Sequence, residues 1–160
     1  MALALATFVS QNKGADRVDR IRKGVFYANL MDIFFAIGIT IFVYLFSKNM
    51  IHLMSGSNSE VVLYNGSTYL KIASPFFTIL GVLFNLRYAL QALGEKVIPL
   101  VSSIIEFFGK IIFVIFIVPK LGYFGVMICE PLIWIVMTGQ LAWAFYGNEY
   151  IREKNWNNKK

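Results

Sequence analysis

The chain has 160 residues, 58% of them hydrophobic and only 15% charged, with a formal net charge of +6 and a mean hydropathy of +0.62. A water-soluble domain of this size has too little interior for so much apolar side chain, so the composition excludes an ordinary soluble fold and makes lipid the expected solvent. A single cysteine, Cys129, and a single histidine, His52, exclude an internal disulfide framework and every multi-cysteine metal pattern, and no metal site is expected.

Residues 2–12 are apolar or small as far as Ser10 and end in Gln11-Asn12. They predict a partial helix, since a full crossing takes about 20 residues. Charges follow this stretch instead of preceding it, so it lacks the pattern of a signal peptide. The next eleven residues hold Lys13, Arg17, Arg20, Arg22 and Lys23 against Asp16 and Asp19. Placed directly before a long apolar run, they predict a cytoplasmic join. Nucleic-acid binding is not expected, because membrane topology already requires basic residues there.

Four spans follow, at residues 24–46, 70–93, 97–118 and 122–146, with a tail at 147–160. The predicted class is an all-α membrane protein of four transmembrane helices plus the partial N-terminal helix, with the lipid bilayer as its first partner. None of the four spans has the polar stripe that a surface helix of a soluble protein carries. Between the first two, residues 46–67 (FSKNMIHLMSGSNSEVVLYNGS) are expected to form the one sizeable external loop, with Asn65-Gly66-Ser67 matching a glycosylation acceptor. Alternate joins carry ten lysines and arginines on one side against three on the other, namely Lys48, Lys71 and Lys120. The positive-inside rule then puts the basic join and the C-terminus in the cytoplasm. Trp143, Tyr146 and Trp156 mark that border, whereas Trp134 lies too deep for an interfacial belt.

Ionisable side chains inside hydrocarbon need a partner, a water path or a way to snorkel out. Asp32 falls about 12 Å into the first span, with Asn29 on the same face. One reading makes it a proton, cation or substrate contact; the other makes it a polar residue packed against a neighbouring helix. Glu106 and Lys110 form an i,i+4 ion pair in the favourable order, architectural or exchanging partners during a cycle. Glu130-Pro131 reads either as a kink or as a carboxylate beside freed carbonyls, the arrangement of ion sites in interrupted helices. Arg87 is expected to reach the headgroups with its long stem, or to line a cavity. No Ser-His-Asp set, phosphate loop or ligand cluster is present, so no enzyme chemistry is expected.

Several stretches together resemble the second lobe of multidrug and toxic compound extrusion transporters. ATFVSQNKGADRVDRIRKG, residues 6–24, is similar to the end of the eighth helix and its join to the ninth. LRYALQALGEKVIPL, residues 86–100, resembles the turn from the tenth helix to the eleventh. SIIEFFGKIIFVIFIVPKLGYFGV, residues 103–126, resembles the eleventh helix and its external turn, and CEPLIWIV, residues 129–136, the start of the twelfth. Lys110 departs from the arginine more usual after the helix-eleven glutamate, keeping the charge without the planar donor geometry.

The resemblance implies part of a twelve-helix, two-lobe plasma-membrane protein working by alternating access. Its activity would be secondary active export of organic, often cationic, compounds in exchange for Na+ or H+, with no other cofactor. Asp32 and Glu130 are candidate coupling carboxylates, Glu106 and Lys110 an intramembrane pair, and Asn29 and Arg87 candidate polar groups of the cavity. Covering the last helices only, the chain is expected to be inactive alone and to need the missing N-terminal lobe or a partner chain. Two rival expectations are a flippase for lipids or lipid-linked saccharides, whose cavity needs basic groups for pyrophosphate, and a small four-helix membrane protein that does not transport.

Overall fold

A computed structural model describes residues 1–152, which form helices and turns with no strand among them. In chain order the helices are α1 (Ala2–Gly14), α2 (Val18–Ser55), α3 (Glu60–Ala73), α4 (Phe77–Ala92), α5 (Val97–Ile112), α6 (Val118–Leu121) and α7 (Tyr123–Gly147). A 3₁₀ turn at Ser74–Phe76 joins α3 to α4, and a π-helical turn at Phe113–Ile117 joins α5 to α6. Four helical units are therefore long and apolar enough to cross a membrane: Val18–Ser55, Glu60–Ala92, Val97–Leu121 and Tyr123–Gly147. The all-α membrane fold expected from composition is what the chain forms.

Helix ends lie beyond the apolar limits read from sequence. The first span, expected at 24–46, lies within a 38-residue helix, about 57 Å long at 1.5 Å per residue. The second, expected at 70–93, begins ten residues earlier, and the partial helix at 2–12 runs on to Gly14. Hydropathy marks where lipid begins, whereas a helix continues until its hydrogen-bond ladder is punctuated. For α2 the punctuation is Gly56, at φ 63°, whose N–H donates to His52 O.

The large external loop is consequently absent, and only residues 56–59 separate α2 from α3. The Ser57 N–H donates to Ser55 Oγ and the Ser59 N–H to Ser57 Oγ. Asn65-Gly66-Ser67 lies inside α3, with Ser67 buried and its hydroxyl donating to Tyr64 O. A helical, packed tripeptide is a poor glycosylation acceptor. Of the expected tail, residues 153–160, with Lys154, Lys159, Lys160 and Trp156, lie outside the described residues.

Helix α4 is the centre of the bundle, touching α1, α2, α5 and α7. Its Leu83, Leu86, Ala89 and Leu90, with Leu93 just past its end, pack against Leu5 and Val9 of α1, Val18, Ile21 and Val25 of α2, and Ile133, Met137, Leu141 and Phe145 of α7. The outer faces are apolar: Phe34, Phe35, Leu45, Phe107 and Phe116 are all more than 60% exposed. Exposure of this kind is unfavourable in water and ordinary in lipid.

Two Schellman motifs close helices at the same end of the bundle. After α1, Arg17 N–H donates to Asn12 O and Asp16 N–H to Lys13 O, with Asp16 in the left-handed region at φ 58°. After α4, Glu95 N–H donates to Leu90 O and Gly94 N–H to Gln91 O, with Gly94 at φ 89°. Lys13 Nζ donates to Leu93 O at 2.5 Å, and the Tyr150 hydroxyl donates to Asp16 Oδ1 at 3.2 Å. The basic join, the turn before α5 and the segment after α7 thus meet at one end.

Candidate functional site

Polar side chains within the bundle gather in two places. The first lies between α5 and α7. Glu106 and Lys110 stand one helical turn apart on α5, and Lys110 Nζ donates to Glu106 Oε1 at 2.9 Å. The same ammonium reaches Glu130 Oε1 on α7 at 3.0 Å. The pair expected from sequence is therefore a carboxylate–ammonium–carboxylate triad, and Glu130 belongs to it. Gly109 makes this approach possible, since a Cβ there would stand 3.3 Å from Ile133 Cγ1 of α7.

These carboxylates open onto a cavity of about 400 Å³ lined by Tyr69, Phe84, Arg87, Glu106, Glu130 and Trp134. Trp134, too deep for an interfacial belt, is one of its walls and stacks obliquely on Phe77, ring centroids 6.3 Å apart. Arg87 of α4 reaches across to α5. Its guanidinium donates to Pro99 O at 3.2 Å and to the Ser103 hydroxyl on the first turns of α5. A carbonyl near the start of a helix, tied by a charged donor from α4, fixes the angle at which α5 leaves the 93–96 turn. Ser103, Tyr69 and Phe84 were not singled out in the sequence, where nothing distinguishes them from ordinary span residues.

The second place lies between α2 and α4. Asp32 and Asn29, on one face of α2, both accept hydrogen bonds from Asn85 Nδ2 of α4, at 2.7 Å to Asp32 Oδ2 and 3.0 Å to Asn29 Oδ1. Asn85 is 0% exposed. Gly81 lets α2 come this close, because a Cβ on it would stand 3.0 Å from Asp32 Cβ. Asn85 was missed in the sequence. The signal available was the one that drew attention to Asn29, an amide amid apolar residues that must find a partner.

Backbone breaks line the remaining polar contacts. Pro75 removes a donor from the second unit, and Thr40 Oγ1 of α2 donates to Ser74 O at 2.9 Å. Pro131 lies buried inside α7, one residue after Glu130. Among the described residues no group of three or more His, Cys, Asp or Glu is placed to hold a metal.

Four helical units long and apolar enough to cross a membrane, with charged side chains and a small cavity among them, define a polytopic membrane protein with polar groups in its interior. The family model MatE matches residues 1–117, and the chain belongs to that family of membrane transporters, the multidrug and toxic compound extrusion family. Glu130 and α7 lie beyond the matched residues. Neither the comparison with curated proteins nor that with solved structures gave a match.

Proposed function

We propose that this chain contributes the substrate-facing cavity of an exporter that expels small organic cations in exchange for Na+ or H+. The observation that carries the reading is the cavity walled by Glu106 and Glu130 together with Trp134, Tyr69 and Phe84. Carboxylates beside aromatic faces attract an amphiphilic cation by charge and by cation–π contact. Its volume of about 400 Å³ lies in the range of small-ligand sites. Lys110 is the resident counter-ion of both carboxylates, and an arriving cation competes with it for them.

The flippase reading is less well supported. Both cationic groups at the cavity are engaged, Lys110 by two carboxylates and Arg87 by α5, which leaves neither to hold a pyrophosphate. In this reading the protein sits in the plasma membrane, and the end bearing the basic join faces the cytoplasm, as the excess of Lys and Arg there favours. The missing lobe of the transporter, as a preceding segment or a partner chain, completes the path.

The test is uptake of a fluorescent organic cation into inside-out vesicles from cells producing the complete transporter, energised by a Na+ or H+ gradient. Wild type is expected to accumulate the dye, and Glu130→Gln to lose most of that accumulation. Equal accumulation by the variant overturns the assignment of this cavity.

A further inference from the structure

Helix α2 turns one continuous face away from the other described helices. Its buried residues Val18, Ile21, Val25, Ala36 and Val43 share one side. The opposite side runs from exposed Arg20 and Lys23 through Tyr27 and Met31 to an open groove of about 400 Å³ lined by Phe34, Phe35, Gly38, Ile39 and Phe42. Tyr27, Met31 and Gly38 stand 7, 11 and 18 residues after Arg20, about two, three and five whole turns, so the basic group, the aromatic ring and the groove lie on one line along the helix. Gly38 leaves the floor of the groove open, since among the described residues a Cβ added there would meet nothing within 4 Å beyond the helix's own backbone.

We propose that this face seats one anionic phospholipid of the leaflet that meets the basic join, its phosphodiester held by Arg20 and Lys23 and one acyl chain running down α2 into the phenylalanine groove. Arg20 and Lys23 are one turn apart and both exposed. A guanidinium offers phosphate oxygens two parallel N–H donors, and a lysine adds a mobile point charge beside it. Lys13 is engaged by Leu93 O, and Asp16 accepts from the Tyr150 hydroxyl. Without Lys13, the four cations Arg17, Arg20, Arg22 and Lys23 still outnumber Asp16 and Asp19 by two, so the join presents net positive charge to a headgroup.

Length decides where the acyl chain ends. Phe34 stands 11 residues after Lys23, about 16 Å along the helix at 1.5 Å per residue, and half of a hydrocarbon layer about 30 Å thick is about 15 Å. A chain that starts from a headgroup at Lys23 therefore brings its terminal carbons to Phe34 and the mouth of the groove. Chemistry separates this occupant from the others. An apolar helix packed on the groove would leave two cations at its end to find carboxylates, and a zwitterionic lipid brings a cation of its own that the basic pair repels. An anionic lipid satisfies the charged end and the apolar end of the face at once.

The experiment is native mass spectrometry of the full chain released from micelles after titration with dioleoyl phosphatidylglycerol or, at equal mole fraction, dioleoyl phosphatidylcholine. One phosphatidylglycerol retained per chain is expected, under conditions that strip phosphatidylcholine. Arg20→Gln combined with Lys23→Gln should weaken its binding at least about tenfold, because each basic residue near an anionic headgroup is worth about a fivefold factor. Lys48→Gln, toward the other end of α2, should leave it unchanged. Gly38→Leu alters no charge but fills the groove; it should weaken retention of the dioleoyl lipid and spare dihexanoyl phosphatidylglycerol, whose chains end above Phe34. Equal retention of the two dioleoyl lipids, binding unchanged in the double variant, or no effect of Gly38→Leu overturns the proposal. A wild-type dimer that excludes lipid overturns it as well, as does a complete transporter that retains no phosphatidylglycerol, since protein then covers the face.

Discussion

Lys110→Met tests the triad directly, because it removes the one cation between two carboxylates while keeping the length of the side chain. The ammonium touches Glu106 Oε1 at 2.9 Å and Glu130 Oε1 at 3.0 Å. Those oxygens are therefore no more than about 6 Å apart, which at an effective dielectric of about 20 is a repulsion of roughly 3 kcal/mol. All three side chains are about one-third to two-fifths exposed, so screening brings the expected loss of stability down to about 1–2 kcal/mol. Adding Glu130→Gln removes one of the two like charges and should restore most of that loss. The assay is reversible thermal or denaturant unfolding in micelles of the wild type, both single variants and the double variant. A non-additive interaction of at least about 1 kcal/mol is expected, beyond the roughly 0.5 kcal/mol scatter of independent sites. Strict additivity, or a double variant less stable than Lys110→Met, would refute the claim that one lysine holds α5 to α7 through both acids.

Two further predictions concern backbone approach. Gly81→Ala places a methyl group 3.0 Å from Asp32 Cβ and 3.4 Å from Asp32 Oδ2; it should cost about 1–3 kcal/mol of stability, measured as a fall in unfolding midpoint. Gly94→Ala and Gly122→Ala should both destabilise, measured as a fall in unfolding midpoint. Gly122, at φ 57° and ψ −139°, should be the worse of the two, since that region is essentially closed to other residues and costs about 1–3 kcal/mol, against about 1–2 kcal/mol for left-handed Gly94.

The membrane class and the number of long helices were legible because they depend on composition summed over stretches of twenty residues and more, where single-residue context averages out. Their ends were less legible. Residues 47–55 and 60–69 are polar enough to read as loop, yet no proline occurs between Ser47 and Tyr69 and the first residue with a left-handed backbone is Gly56. A helix already nucleated extends through such residues at little cost, since each adds a hydrogen bond for one residue fixed. The close of α1 went the same way. Gln11 and Asn12 were the expected stop, but the helix runs on to Gly14 and the left-handed position falls to Asp16, a residue type that tolerates it better than most.

Of the polar groups, only the contact within one helix was readable. Glu106 and Lys110 meet because the spacing of an α-helix brings i and i+4 together, and no knowledge of the fold is required. Glu130 joins them from a different helix through the gap left by Gly109, and Asn85 joins Asp32 through the gap left by Gly81. In each case a glycine on one helix stands beside an ionisable residue, on the same helix at Lys110 and on the facing helix at Asp32. Sequence shows the glycines and the charges but not which faces of the helices meet. Small residues let membrane helices approach closely, and a polar contact between them forms only at that distance. The glycines that look like mere packing devices are therefore what brings both polar clusters into existence, and their substitution should disturb these polar contacts together with the packing of the helices that carry them.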